Sequence, residues 1–185
     1  MATEKELYIA IVRGINVGGK KVLMADFKVL LEGLKYSNIN TYIQSGNVIF
    51  RSAKKLEATL EKEIFNAMAR KFGFVSPVIV TTFDYMKNVA GHNPFLKEKD
   101  IDLTKLHVTF LADEPSKEAL KTISELSFPP DKFIIKDKTV YLYCPVNYGE
   151  TKLSNKFFES KLKVTATTRN WNTVNKLVEI GEGLK

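Results

Sequence analysis

From Leu7 to Val12 six consecutive residues are apolar, and the run empties directly into Arg13-Gly14-Ile15-Asn16-Val17-Gly18-Gly19-Lys20. A strand without polar alternation has no face to give to water, so the fold must place it centrally and cover it on both sides. Its two alternating sets, Tyr8, Ala10 and Val12 or Leu7, Ile9 and Ile11, are both apolar. One is expected against the strand's own helices, the other against a second unit or another copy of the chain.

The pattern downstream says what surrounds that strand. Met24, Phe27, Leu30, Leu31 and Leu34 fall at helical spacing, with Asp26 in the first turn where a carboxylate suits the helix dipole. Asn40 to Gln44 and Asn47 to Arg51 read as a hairpin turning at Ser45-Gly46. A second helix is predicted from an N-cap at Ser52, through Leu56, Leu60, Ile64, Phe65, Met68 and Phe72, to Gly73. Phe74 to Thr81 then reads as a strand that Pro77 confines to an edge. The order is βαββαβ, a ferredoxin-like unit with two helices on one face of an antiparallel sheet.

Gly91-His92-Asn93-Pro94 and the charged run Lys97 to Asp102 mark a boundary. The chain is therefore read as α+β, with a ferredoxin-like unit over 1–90, a linker over 91–104 and a smaller α+β unit over 105–185. In the latter, a strand Leu106 to Ala112 precedes a helix started by Pro115, with Leu120, Ile123 and Leu126 inward. A hairpin follows, Phe133 to Lys136 and Thr139 to Tyr143 about Asp137-Lys138. A helix capped by Ser154, a short strand near Val164, and a final helix that starts around Thr168 to Asn172, buries Trp171, Val174, Leu177 and Val178 and ends at Gly181 and Gly183 complete it. The βαββ order of the first half recurs, without residue-level identity between the halves.

A length of 185 residues suits one domain or two small ones, and no apolar run approaches the roughly 20 residues that span a bilayer. With one cysteine, Cys144, there is no internal disulfide framework. A cytoplasmic protein with no membrane partner is the expectation. Two histidines and one cysteine are too few and too scattered for a zinc site, and the sequence calls for no metal and no cofactor. Residues 1–92 carry 13 Lys+Arg against 8 Asp+Glu and residues 150–185 carry 7 against 4, whereas the middle is nearly neutral, so the net charge of +7 sits in the terminal portions. Such a surface suits nucleic acid, a phosphorylated small molecule or an acidic protein, and it also simply keeps a protein soluble.

The Gly14 to Lys20 stretch meets the start of the phosphate-loop pattern GxxxxGK and then fails it, because Lys21 stands where a magnesium-binding hydroxyl belongs. What survives is an anion-binding turn: glycines that let backbone N–H groups converge, flanked by Arg13 and Lys20. The competing account is a structural turn that lets the chain reverse over the sheet. Leu7-Tyr8-Ile9 imitates a strand of the RNA-recognition module, but Asn47 stands where that module's third strand needs an aromatic. Tyr148 to Lys156, with Lys152 and Ser154, is a second candidate anion site, or ordinary capping. Thr168, Arg169 and Asn170 crowd around Trp171 with more polar groups than one cap requires. His92, His107 and Cys144 have no sequence-adjacent partner that suggests catalysis.

The motifs RGINVGGK at 13–20, YIQSGNVIF at 42–50, the KLSN segment at 152–155 and ATTRNWNTV at 166–174 together resemble the bacterial family called domain of unknown function 1697. The resemblance spans essentially the whole chain. It implies a two-part α+β protein and brings no assigned activity, cofactor or catalytic residue.

The first functional expectation is binding of a phosphorylated or otherwise anionic small molecule at Arg13, Gly14, Asn16, Gly18, Gly19 and Lys20. Gln44, Ser45, Asn47, Lys152, Ser154, Thr168, Arg169 and Asn170 are the further candidates. Nucleic-acid binding is the alternative. A third reading is an enzyme in which Arg13, Lys20, Lys152 and Arg169 clamp a phosphate or carboxylate.

Overall fold

In the computed structural model, which describes residues 5–43 and 46–184, the apolar run lies in strand β1 (Lys5–Val12). Helix α1 (Met24–Gly33), strands β2 (Ser37–Tyr42) and β3 (Asn47–Ala53), helix α2 (Glu57–Phe72) and strand β4 (Val78–Thr82) follow. The four strands form one antiparallel sheet in the order β2-β3-β1-β4, so β1 is central. Tyr8, Ala10 and Val12 face the two helices and pack with Phe27, Leu31, Phe50, Leu60, Ile64 and Met68. Ile9 and Ile11, on the alternate face with Ile49 and Ile79, are buried as well. An unbroken apolar strand requires this two-sided cover.

Two sequence expectations shift for identifiable reasons. Helix α2 starts at Glu57 and not at Ser52, because β3 runs on to Ala53 opposite the start of β1, and Ser52 is a buried ladder partner of Glu6. The helix has Leu56 at its N-cap with no side-chain bond, and it closes on Gly73 in the left-handed conformation. Strand β4 begins only after Pro77, at the sheet edge where a missing N–H leaves no neighbour unsatisfied. Tyr8 stacks on Phe50 at 5.9 Å in the core, so it offers no ring to a stacked base.

Helix α3 (Phe83–Gly91) follows β4 directly. Beyond two short 3-10 turns come β5 (Leu106–Leu111), α4 (Lys117–Ser124), β6 (Lys132–Lys136), β7 (Thr139–Tyr143), α5 (Asn155–Leu162), β8 (Ala166–Asn170) and α6 (Trp171–Glu182). Their sheet has the order β6-β7-β5-β8, the same arrangement as the first. The recurrence is thus complete: each half is βαββαβ and is followed without a break by a further helix. Thr82 Oγ1 accepts from Tyr85 N at 3.1 Å and Asn170 Oδ1 from Thr173 N at 2.8 Å, so equivalent last strand residues cap equivalent helices. Thr168 to Asn170 therefore belong to a strand, and the last helix begins only at Trp171.

Backbone contacts divide the chain into two units, one of residues up to Asn88 together with those from Lys176 on, the other Val89–Asn175. The end of α6 thus belongs with the first unit, where the sequence pattern grouped all of 105–185 together. Among the described residues, no helix is long and apolar enough to cross a membrane, and no group of three or more His, Cys, Asp or Glu stands where it could hold a metal ion.

Candidate functional site

The glycine-rich loop leaves β1 under restraint from both neighbours. Val12 N donates to Gly46 O at 2.8 Å and Arg13 N to Pro77 O at 2.9 Å. Gly14 (φ 68°) turns the chain away, and Ile15 plugs back into the core. Asn16 then holds the loop's base: its N donates to Lys20 O at 2.6 Å, and its Oδ1 accepts from Val22 N at 2.8 Å. Lys20 N returns to Val17 O at 3.3 Å, closing a small hairpin with Gly18 (φ 60°) and Gly19 (φ 87°) at its tip. Positive φ at both central residues is the geometry of a type I′ turn, which accounts for paired glycines.

A methyl group added at Gly18 or Gly19 would meet nothing within 4 Å, so the tip is open on that side. Among the described residues the N–H groups of Gly18 and Gly19 make no hydrogen bond. The Lys20 ammonium folds back to Val75 O at 3.1 Å and lies 5.4 Å from the centre of the Phe74 ring, while Lys21 is exposed. Between Val75 and Pro77, both held by the loop, Ser76 has a buried hydroxyl without a hydrogen-bond partner. Sequence reading passed over this serine, because only the fold brings 75–77 beneath the loop.

Gly46 is needed for another reason. A Cβ there would lie 2.7 Å from Val12 O and 2.9 Å from Ile15 Cδ1, so the end of the β2–β3 hairpin is pressed against the start of the loop. Gln44 and Ser45 lie outside the described residues. Asn47 is buried and its amide donates to Tyr42 O at 3.4 Å, a strut within the hairpin.

Lys152, Ser154, Thr168, Arg169 and Asn170 belong to the second unit, and the loop residues belong to the first. Ser154 Oγ accepts from Phe157 N at 3.3 Å, an ordinary helix cap, as is Asn170. Lys152 is exposed. Thr168 is the centre of a polar group: its hydroxyl lies 2.6 Å from Thr109 Oγ1 and donates to Asn155 Oδ1 at 2.7 Å. Arg169 Nη1 donates to Thr168 O at 2.9 Å. His107 stacks on Tyr148 with ring centres 4.4 Å apart.

Burial governs the ionisation of this group. It raises the Tyr148 phenol, an effect opposed by the Thr168 hydroxyl and the Arg169 charge. It also brings the Arg169 guanidinium down to about 10, with Tyr148 opposing the shift. The His107 imidazole is lowered, first by burial. The Cys144 thiol is pushed up to about 11 by burial and then by Asp131, against a bond from Thr151, so it is a protonated, unreactive thiol at neutral pH. His107 and Tyr148 are 41 positions apart, and only the fold brings the turn at Tyr148–Glu150 against β5. The sole hint was the position of His107 at the start of an apolar strand.

A family model described as "Protein of unknown function (DUF1697)" matches residues 6–141. Among curated proteins none matches the sequence. Among solved structures, the conserved bacterial protein SP0830 from Streptococcus pneumoniae is similar, with a TM-score of 0.76 and 21% identity over 96% of this chain and 98% of that one. At that identity the likeness is one of fold.

Proposed function

The chain belongs to the DUF1697 family, and from that premise we propose that it binds a phosphate-bearing or otherwise anionic small molecule at the glycine-rich loop after β1. One observation carries the reading: two successive N–H groups, of Gly18 and Gly19, stand without an internal acceptor at an open tip beside Lys20 and Lys21. An anionic oxygen meets directed backbone donors there, next in the chain to the exposed Lys21 and to Lys20, whose ammonium in the free protein is drawn back to Val75 O. Arg13 adds a third cation at the loop's base. The basic excess of residues 1–92 raises the local concentration of anions around the loop.

The test is the thermal transition in the presence of inorganic phosphate, pyrophosphate and simple sugar phosphates. A ligand of the native state raises Tm by mass action. Gly18→Val should abolish the rise, since a β-branched residue resists φ near +60°, while net charge is unchanged and no neighbour is displaced. A compact site of this kind depends only mildly on salt. A nucleic-acid surface releases counterions, so log K for a single strand falls against log salt with a slope of about −0.7 per phosphate contacted. Tight oligonucleotide binding with a slope of several units, insensitive to Gly18→Val, would replace this reading with the nucleic-acid one. Absence of a shift with any phosphate compound would remove the loop as a site.

A further inference from the structure

Strand β6 forms one edge of the second sheet. It pairs with β7 through a hairpin in which Lys136 faces Thr139 across the two-residue turn Asp137-Lys138. In such a hairpin the closing pair is hydrogen-bonded, and bonding then alternates along the ladder through Ile134 and Lys132. The backbone N–H and C=O groups of Phe133 and Ile135 consequently point away from β7, and among the described residues no other segment meets them. Their side chains face α4, and between that helix and β6 runs a groove of about 580 Å³ lined by Leu120, Ile123, Leu126, Phe128, Phe133 and Ile135. An unpaired strand edge beside an apolar groove is the arrangement on which strand-adding peptides dock.

The first unit shows how this same chain closes such an edge. Strand β2 holds the position of β6, yet its register shifts between Ser37 and Asn40, and Asn38 has φ of 50°. Its sequence is Ser-Asn-Ile-Asn-Thr-Tyr, and the neighbouring groove is lined by Lys28, Glu32, Asn38 and Asn40. A bulge and polar side chains spoil an edge for further pairing. Strand β6 has neither device: its ladder is continuous and its centre is Phe133-Ile134-Ile135. It keeps only the exposed lysines Lys132 and Lys136 at its ends.

Those lysines select the occupant. A second copy pairing antiparallel through β6 would set lysine against lysine at both ends. A strand with carboxylates there would be attracted instead. We propose that β6 and the α4 groove receive an extended segment of a partner protein, added as an antiparallel strand with the pattern acidic–apolar–polar–apolar–acidic. The two apolar residues stand opposite Ile135 and Phe133, exchange backbone bonds with them and enter the groove. The middle residue lies on the other face with Ile134, and the acidic ends meet Lys136 and Lys132. Since Lys132 already holds Glu98 at 2.7 Å, Lys136 carries more of the charge preference.

The experiment titrates the intact protein against a labelled acetyl-Glu-Val-Thr-Leu-Glu-amide peptide by fluorescence anisotropy, with amide exchange followed by NMR. Binding is expected to slow exchange at Phe133 and Ile135. Methylating the peptide nitrogens of Val and Leu should abolish it, and methylating that of Thr should not. Replacing the first Glu by Lys, or introducing Lys136→Glu, should weaken binding about fivefold or more, and the two changes together should restore it. Three outcomes overturn the proposal: no binding at millimolar peptide, binding indifferent to N-methylation, or sedimentation showing a dimer that itself protects the Phe133 and Ile135 amides.

Discussion

Gly18 and Gly46 answer to different constraints, and substitution separates them. Gly46 combines φ of 77° with a Cβ position 2.7 Å from Val12 O, whereas Gly18 has φ of 60° and open space. Gly46→Ala is expected to cost about 3 kcal/mol in urea unfolding, as backbone strain and overpacking add, and Gly18→Ala about 1 kcal/mol from strain alone. Equal losses would mean that the contact at Gly46 is relieved by movement. His107 makes a separate statement about pH. Burial holds its imidazole below the ordinary value, the Lys105 charge acts in the same direction, and a bond to the Lys105 carbonyl opposes both. As pH falls through about 6.5 the unfolded chain takes up a proton that the folded chain resists, so stability is full above that pH and is lost progressively toward the lower folded value. His107→Gln should remove this part of the slope between pH 7.5 and 5. An unchanged slope would show the imidazole to be solvated despite its stack on Tyr148.

At the scale of elements, α6 and α3 meet at Gly181, where an added Cβ would fall 2.1 Å from Phe83 Cε2. Gly181→Ala should destabilise by about 1–3 kcal/mol despite alanine's better helix propensity, and combining it with Phe83→Leu should recover part of the loss. A stabilised Gly181→Ala would show that the Phe83 ring swings aside freely. Nothing in the spacing of the C-terminal helix announced that contact. What the sequence did disclose was period and punctuation: the six-residue apolar run marked β1 as central, Gly73 stopped α2, and Asp137-Lys138 turned the β6–β7 hairpin. Errors arose where pairing overrode a local signal. Ser52 reads as a cap yet belongs to β3, because β1 extends far enough to pair with it. Thr168 and Arg169 read as a crowded helix start yet belong to β8, held opposite Thr109 and Val108. In the candidate loop the positive φ values of Gly14, Gly18 and Gly19 were legible because glycine supplies them, whereas that of Asn16 and the buried Ser76 beneath the loop were not, since a serine's missing partner is a property of the fold.

For the whole molecule, the repeated βαββαβ topology does not mean that the chain is cut once in the middle. Contacts place the residues from Lys176 on with the first unit, so the chain passes between units twice, within α3 and within α6. The ties of the returning segment are specific: Gly181 packs on Phe83, Glu182 lies 3.7 Å from Lys87, and Arg51 Nη2 donates to Leu184 O at 2.8 Å. The last of these reaches β3, which pairs with β1. Ending the chain after Asn175 should therefore loosen the first unit, although the missing residues are more than a hundred positions from most of it. Hydrogen exchange reads this out locally, since protection reports the opening free energy of each cooperative region. Amides of β1, β3 and α3 are expected to lose at least about tenfold in protection, which corresponds to about 1.4 kcal/mol, while those of β5 and β7 change little. If residues 105–185 instead behave as one unit, the same truncation will expose α5 and β8 and leave β1 protected, and the two patterns can be told apart in a single exchange experiment.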